Sequence, residues 1–111
     1  MKILQSEHID KNPRRELRQL VTANISQVNF YEAQRGAILG DHYHKKTKEY
    51  FFITKGTFMV KIGDNSFPAN PGSLFLVEPG EKHTLEALTN KGTFMTFLSK
   101  PYSKEDEDMF K

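Results

Sequence analysis

The chain of 111 residues has no cysteine. That absence excludes disulfides, thiolate metal sites and cysteine nucleophiles, and it suits a reducing compartment. Any metal must therefore be held by nitrogen and oxygen. No charge sign dominates either. Sixteen Lys and Arg against fourteen Asp and Glu leave a formal charge of +2, far from the lopsided balance of a nucleic-acid binder. No apolar run approaches the roughly 20 residues of a membrane span. The stretch from Met1 to Glu7 meets a charge too soon for a secretory signal, so a cytoplasmic location is expected. The length suits one domain, 1–111, that buries about two-thirds of its unfolded surface without staples.

Helical periodicity is scarce beyond the first turn or so of sequence. Short β-branched and aromatic runs recur between Gly, Pro, Asn and Asp, which is an all-β pattern. Strands are expected at 17–22, 27–33, 37–44, 49–54, 56–62, 66–68, 73–77, 83–87 and 93–98. Turns are expected at 63–65, 70–72 and 78–81. The segment 1–16 reads as an N-terminal arm, polar over 10–16 and either mobile or swapped onto a partner. A barrel follows over 17–99, and 100–111 reads as a solvated polar tail carrying the acidic run 105–108. Alternation points Phe58, Val60 and Ile62 to one face, with Thr57, Met59 and Lys61 on the other. Both faces of Tyr50, Phe51, Phe52 and Ile53 are apolar. One face then lines the barrel while the other packs on a second sheet or a second copy, which argues for a homodimer. Phe94, Met95 and Phe97 are expected at that interface or in the core.

His42 and His44 stand two apart, so on a strand both imidazoles project from one face. Glu49 follows at an odd offset of five. The chain must turn over Lys45 to Lys48 before Glu49 can open the next strand and face back, with Phe51 and Ile53 continuing its inward side. His83 arrives from a separate strand. Three imidazoles and a carboxylate in an apolar barrel need a common partner, because buried polar groups need hydrogen bonds and buried charges need pairing. One divalent ion supplies it; Zn, Fe, Mn, Ni, Co and Cu all accept these donors. The alternative is a buried His–Glu pair with the other histidines exposed.

The pattern Gly36, His42, His44, Glu49 and Gly56 resembles the first motif of the cupin superfamily at every fixed position. Gly72, Gly80 and His83 fall in register with the second, where Glu78 and Ala87 depart from it and Pro79 is displaced by one. The resemblance covers about 27–98. It implies a double-stranded β-helix, or jelly roll, that is usually dimeric, with His42, His44, Glu49 and His83 as metal ligands. It does not select a reaction, since a fold hosts many.

A weaker similarity, over 10–20, 27–31 and 40–47, is to the single-domain cupins of sugar-nucleotide metabolism. It implies an epimerase or isomerase in which the metal polarises a keto group while a base removes a neighbouring proton. A nearby Tyr or Glu would be that base, with Glu78 one candidate, and Arg35, Lys45 and Lys46 would meet an anionic sugar or diphosphate. A non-haem Fe(II) dioxygenase and a non-catalytic cupin binding a small molecule or sugar remain open at this point.

Overall fold

The computed structural model describes residues 1–21, 23–100 and 110, and of 7–12 the backbone alone. The expected all-β jelly roll is what forms: eleven strands and no helix among the described residues. Hence none of these residues forms a helix long and apolar enough to cross a membrane. A five-stranded sheet runs in the order β1 (Lys2–Leu4), β9 (Leu74–Val77), β6 (Glu49–Lys55), β11 (Lys91–Leu98) and β4 (Gln27–Gln34). A four-stranded sheet runs β5 (Ile38–His42), β10 (His83–Ala87), β7 (Phe58–Ile62) and β8 (Asn65–Ala69). All the strand pairs are antiparallel.

Two elements escape the sequence reading. The polar stretch expected as an arm folds into a hairpin of its own, β2 (Glu7–Asn12) with β3 (Arg15–Gln19), joined by backbone pairing, and every residue of β3 is exposed. Strand β1 is three residues long, too short to show an alternation, and forms because the edge of β9 offers it a ladder. The strand expected at 17–22 lies two residues earlier, and Thr22 falls outside the described residues, as does the acidic run 105–108.

β6 and β7 follow the alternation, whereas β9 is buried at all four positions. Phe58, Val60 and Ile62 are fully buried beside exposed or half-buried Met59 and Lys61. Phe51 and Ile53 face them across the barrel with Phe75 and Phe94, while Leu85 lies beside Val60 in the same sheet. Phe51 stacks on Phe75 at 4.9 Å between ring centres, and Phe58 meets Phe94 edge-on at 5.1 Å. Each such side chain contributes about 1.5–3 kcal/mol by leaving water. The turns obey their residues: Gly63 at φ 58° begins the two-residue link from β7 to β8, and Gly72 at φ 94° follows Pro71 where Ser73 N–H returns to the Asn70 carbonyl.

Phe94 belongs to this core, not to an interface. Its neighbours Met95 and Phe97 point outward, paired with Phe30 and Val28 on β4 and with Phe52 and Tyr50 on β6. The outer face of the five-stranded sheet therefore carries an apolar patch on which Phe30 is 61% and Val28 51% exposed. Register also decides where the site forms. Glu49 opens β6 opposite Leu98, which in turn faces Gln27. His83 opens β10 opposite His42, the last residue of β5.

Candidate metal centre

At its end β5 breaks its regular course. Gly40 pairs with Thr84 and His42 with His83, leaving Asp41 as an extra residue, a bulge with Gly40 at φ 93° and Asp41 at φ 66°. Only glycine fits at 40, since a Cβ there would lie 2.9 Å from the His83 carbonyl oxygen. The Asp41 carboxylate meets the Lys82 ammonium at 3.4 Å on the outside. The chain then bends at 45–46 and returns at Glu49, as its offset from His44 requires, and Glu49 faces inward above Phe51.

Four side chains converge at this end of the barrel. One ligand atom from each of His42, His44, Glu49 and His83 lies within 4.8 Å of the others. Glu49 Oε1 sits 3.2 Å from His44 Nε2 and 3.3 Å from His83 Nε2. The His42 ring meets those of His44 and His83 edge-on at 5.0 and 4.6 Å. Glu49, His44 and His83 are buried, and their converging atoms crowd one another with no other group between them to separate the lone pairs.

The tautomer of His83 sharpens the point. Its Nδ1 lies 3.1 Å from the Glu81 carbonyl oxygen, which can only accept, so Nδ1 carries the proton. In the neutral ring Nε2 is then a lone pair, aimed at a carboxylate oxygen 3.3 Å away. Two acceptors face each other, and the arrangement needs a positive charge between them: a proton on the imidazole or a metal ion. Burial alone would raise the Glu49 pKa, but the His44 and His83 imidazoles outweigh it and hold the carboxyl at about 2. Burial and the neighbouring His83 lower the pKa of His42, which keeps its ring neutral and able to ligate. The donor set and its crowded lone pairs fit a divalent N/O-coordinated ion.

Beside the cluster lies a cavity of about 80 Å³, lined by His42 and His83 from the four-stranded sheet and by Glu49, Tyr31 and Thr96 from the five-stranded one, with apolar walls from Phe51, Leu85 and Phe94. Tyr31 stacks on Phe94 at 4.7 Å. Burial and the Glu49 charge raise its pKa, against lowering by Asn29 and Thr96, so the phenol stays protonated at neutral pH. The sequence reading did not single out Tyr31 or Thr96. The available signal was alternation: Tyr31 pairs with the inward Phe94, hence faces in.

None of the four residues expected to meet a substrate lines the cavity. Arg35 follows Gln34, at the opposite end of β4 from Gln27 and Leu98, about 25 Å along the strand from the cluster's end of the barrel. Glu78 follows Val77 and points toward Lys2 at 4.0 Å; it is not positioned as a base. Lys46 lines a shallow surface depression with Lys48, Tyr50 and Ser99. Lys45 stands at the cluster's end of the barrel with its Nζ 4.5 Å over the Phe110 ring.

Several solved structures share this fold. A 3,4-ketoisomerase from Helicobacter canadensis superposes with a TM-score of 0.84 at 15% identity, over 98% of this chain and 88% of that one. A single-residue mutant of the 3,4-ketoisomerase QdtA from Thermoanaerobacterium thermosaccharolyticum, in complex with TDP-4-keto-6-deoxyglucose, gives 0.76 at 15% over 98% and 85%. The capsular polysaccharide assembling protein CapF from Staphylococcus aureus gives 0.71 at 16% over 98% of this chain, which spans only 34% of CapF. No curated protein matches the sequence significantly. Residues 29–98, which hold all four converging side chains and most of both sheets, match the cupin domain, and the chain belongs to that family.

Proposed function

We propose that this cupin holds one divalent metal on His42, His44, Glu49 and His83, and that it isomerises or epimerises a keto sugar presented as a sugar nucleotide or another anionic carbohydrate. The observation that carries the reading is the meeting of three imidazoles and one carboxylate, of which His42, Glu49 and His83 line a cavity that the protonated Tyr31 phenol also lines. When bound, the ion supplies Lewis acidity toward a carbonyl oxygen. The protein's own residues do the rest. Outside the converging donors Tyr31 is the ionisable group in the wall: after losing its proton to solvent, its phenolate would take a proton from the carbon beside the keto group, and the phenol so formed would return it to the substrate. Thr96 Oγ1, fully buried in the cavity wall with Tyr31, offers a hydrogen bond to a substrate oxygen. Leu39, Phe51, Leu85 and Phe94 keep water out.

A cavity of about 80 Å³ is well below the roughly 300 Å³ of a site that engulfs a whole ligand. Only the reacting part of a sugar enters, and the anionic remainder stays outside the cavity. The same reading includes a homodimer across the outer face of the five-stranded sheet, where Phe30 and Val28 are exposed.

The test is elemental analysis of untagged protein purified without a metal-affinity column, beside His44→Ala. It is paired with incubation in deuterated water with TDP-4-keto-6-deoxyglucose. Near-stoichiometric metal lost in the variant, with deuterium entering the sugar, is expected. Metal-free wild type and no deuterium uptake would sink the proposal; bound iron with oxygen consumption would replace it by a dioxygenase.

A further inference from the structure

Strand β5 is an edge of the four-stranded sheet, and its ladder with β10 ends at His42. His44 lies beyond that ladder. Past His42 the backbone is held from two sides: the Gly80 N–H donates to the His44 carbonyl, and Phe110 pairs with Tyr43. The second contact is double. Tyr43 N–H donates to the Phe110 carbonyl at 2.8 Å and Phe110 N–H donates to the Tyr43 carbonyl at 2.9 Å. The two rings stack at 5.6 Å with 29° between their planes, and Lys45 Nζ caps the Phe110 ring at 4.5 Å.

Tyr43 sits between two of the four converging residues. In an extended segment neighbouring side chains point to opposite faces, so the orientation of the peptide groups at 43 sets the direction of both imidazoles. From this geometry we infer that Phe110 is a positioning residue for the metal centre, a clasp that adds one paired residue to the free edge of β5 and so fixes His42 and His44 toward Glu49. The inference rests on the metal reading above. A site whose donors must be held to about half an ångström is sensitive to such support, and losing an interaction that orients a ligand costs about 10–100-fold in metal affinity.

The experiment compares the full chain with a chain ending at Met109, with Phe110→Ala and with Phe110→Tyr. Two readings are taken. Amide hydrogen exchange is followed at Tyr43 and His44 in the metal-free protein, and Co(II) binding is followed by visible absorption and chelator competition. The shortened chain is expected to lose protection at Tyr43 while β6 and β11 keep theirs, to bind Co(II) at least ~10-fold more weakly, and to show an altered Co(II) spectrum. Phe110→Tyr, which keeps the stack, is expected to match the full chain. If the shortened chain fails to fold, Phe110→Ala carries the same readings. Unchanged affinity and spectrum on loss of Phe110 overturn the inference. If the full chain binds no Co(II), the metal reading fails by itself; the clasp is then decided by exchange, and Tyr43 protection that survives loss of Phe110 refutes it.

Discussion

Replacing Glu49 by Gln keeps the volume and one side-chain oxygen but removes the single negative charge among the four converging donors. Glu49 is 5% exposed, so water screens that charge poorly. In a metal-bound protein, free metal at 100 times its dissociation constant adds about 2.7 kcal/mol of stability. For a domain of this length that is a rise in Tm of about 10 °C. Loss of the carboxylate from a dication site should weaken binding by ~100-fold, which is about 2.7 kcal/mol. At the same metal concentration the variant then gains only about 0.4 kcal/mol, or ~2 °C. The assay is a thermal melt of metal-stripped wild type and Glu49→Gln with and without added Zn(II), checked by calorimetric titration. A full rise of about 10 °C in the variant would refute the reasoning, and Glu49 would then be no more than a hydrogen-bond partner of two histidines.

Stability of the metal-free protein should depend on pH in one direction. The Glu49 carboxyl is held at about 2 against an ordinary 4.5, so its stabilisation is complete above 4.5 and drains away as the pH falls toward 2, about 3 kcal/mol in all. The lowered pKa of His42 acts in the same sense, since the unfolded chain takes up that proton first as pH falls through its ordinary 6.5. Urea unfolding at pH 7, 5 and 3 should give falling midpoints, with a shallower drop between 5 and 3 in Glu49→Gln; a flat wild-type profile would show that the carboxylate is not paired. For the exposed sheet face, sedimentation equilibrium should find wild-type dimers and monomeric Phe30→Glu with a similar Tm, and a monomeric wild type would remove the homodimer.

Much of the barrel was legible because its strands obey a period of two and its turns carry their own chemistry. Phe58, Val60 and Ile62 declared their face, and Pro71-Gly72 declared its turn. What failed was long-range. The strands of the hairpin 7–19 pair with each other, and the sequence of this stretch carries no apolar stripe that announces them. Arg35 is one residue before a motif glycine, yet eight residues of extended β4 carry it to the far end of the barrel. Glu78 follows the end of β9, a strand buried at all four positions, so alternation in the sequence does not tell which way it points. Tyr31 went unnamed because its inward face is set by pairing with β11, about sixty residues later in the chain.

The histidine pair illustrates both sides of this division. Spacing of two correctly placed His42 and His44 on one side of the chain, but spacing assumes an unbroken strand, and β5 is broken just before them. The bulge at Gly40 and Asp41 adds a residue that turns the chain relative to β10, and His42 still faces His83 only because of it. A regular ladder would set Asp41 opposite His83, with the histidines on the other face. The residues that make the site are thus not only the four that converge. Gly40, whose missing Cβ lets β5 approach the His83 carbonyl, is required by the same geometry. That explains why a conformationally costly Gly–Asp pair persists in the strand that carries the ligands.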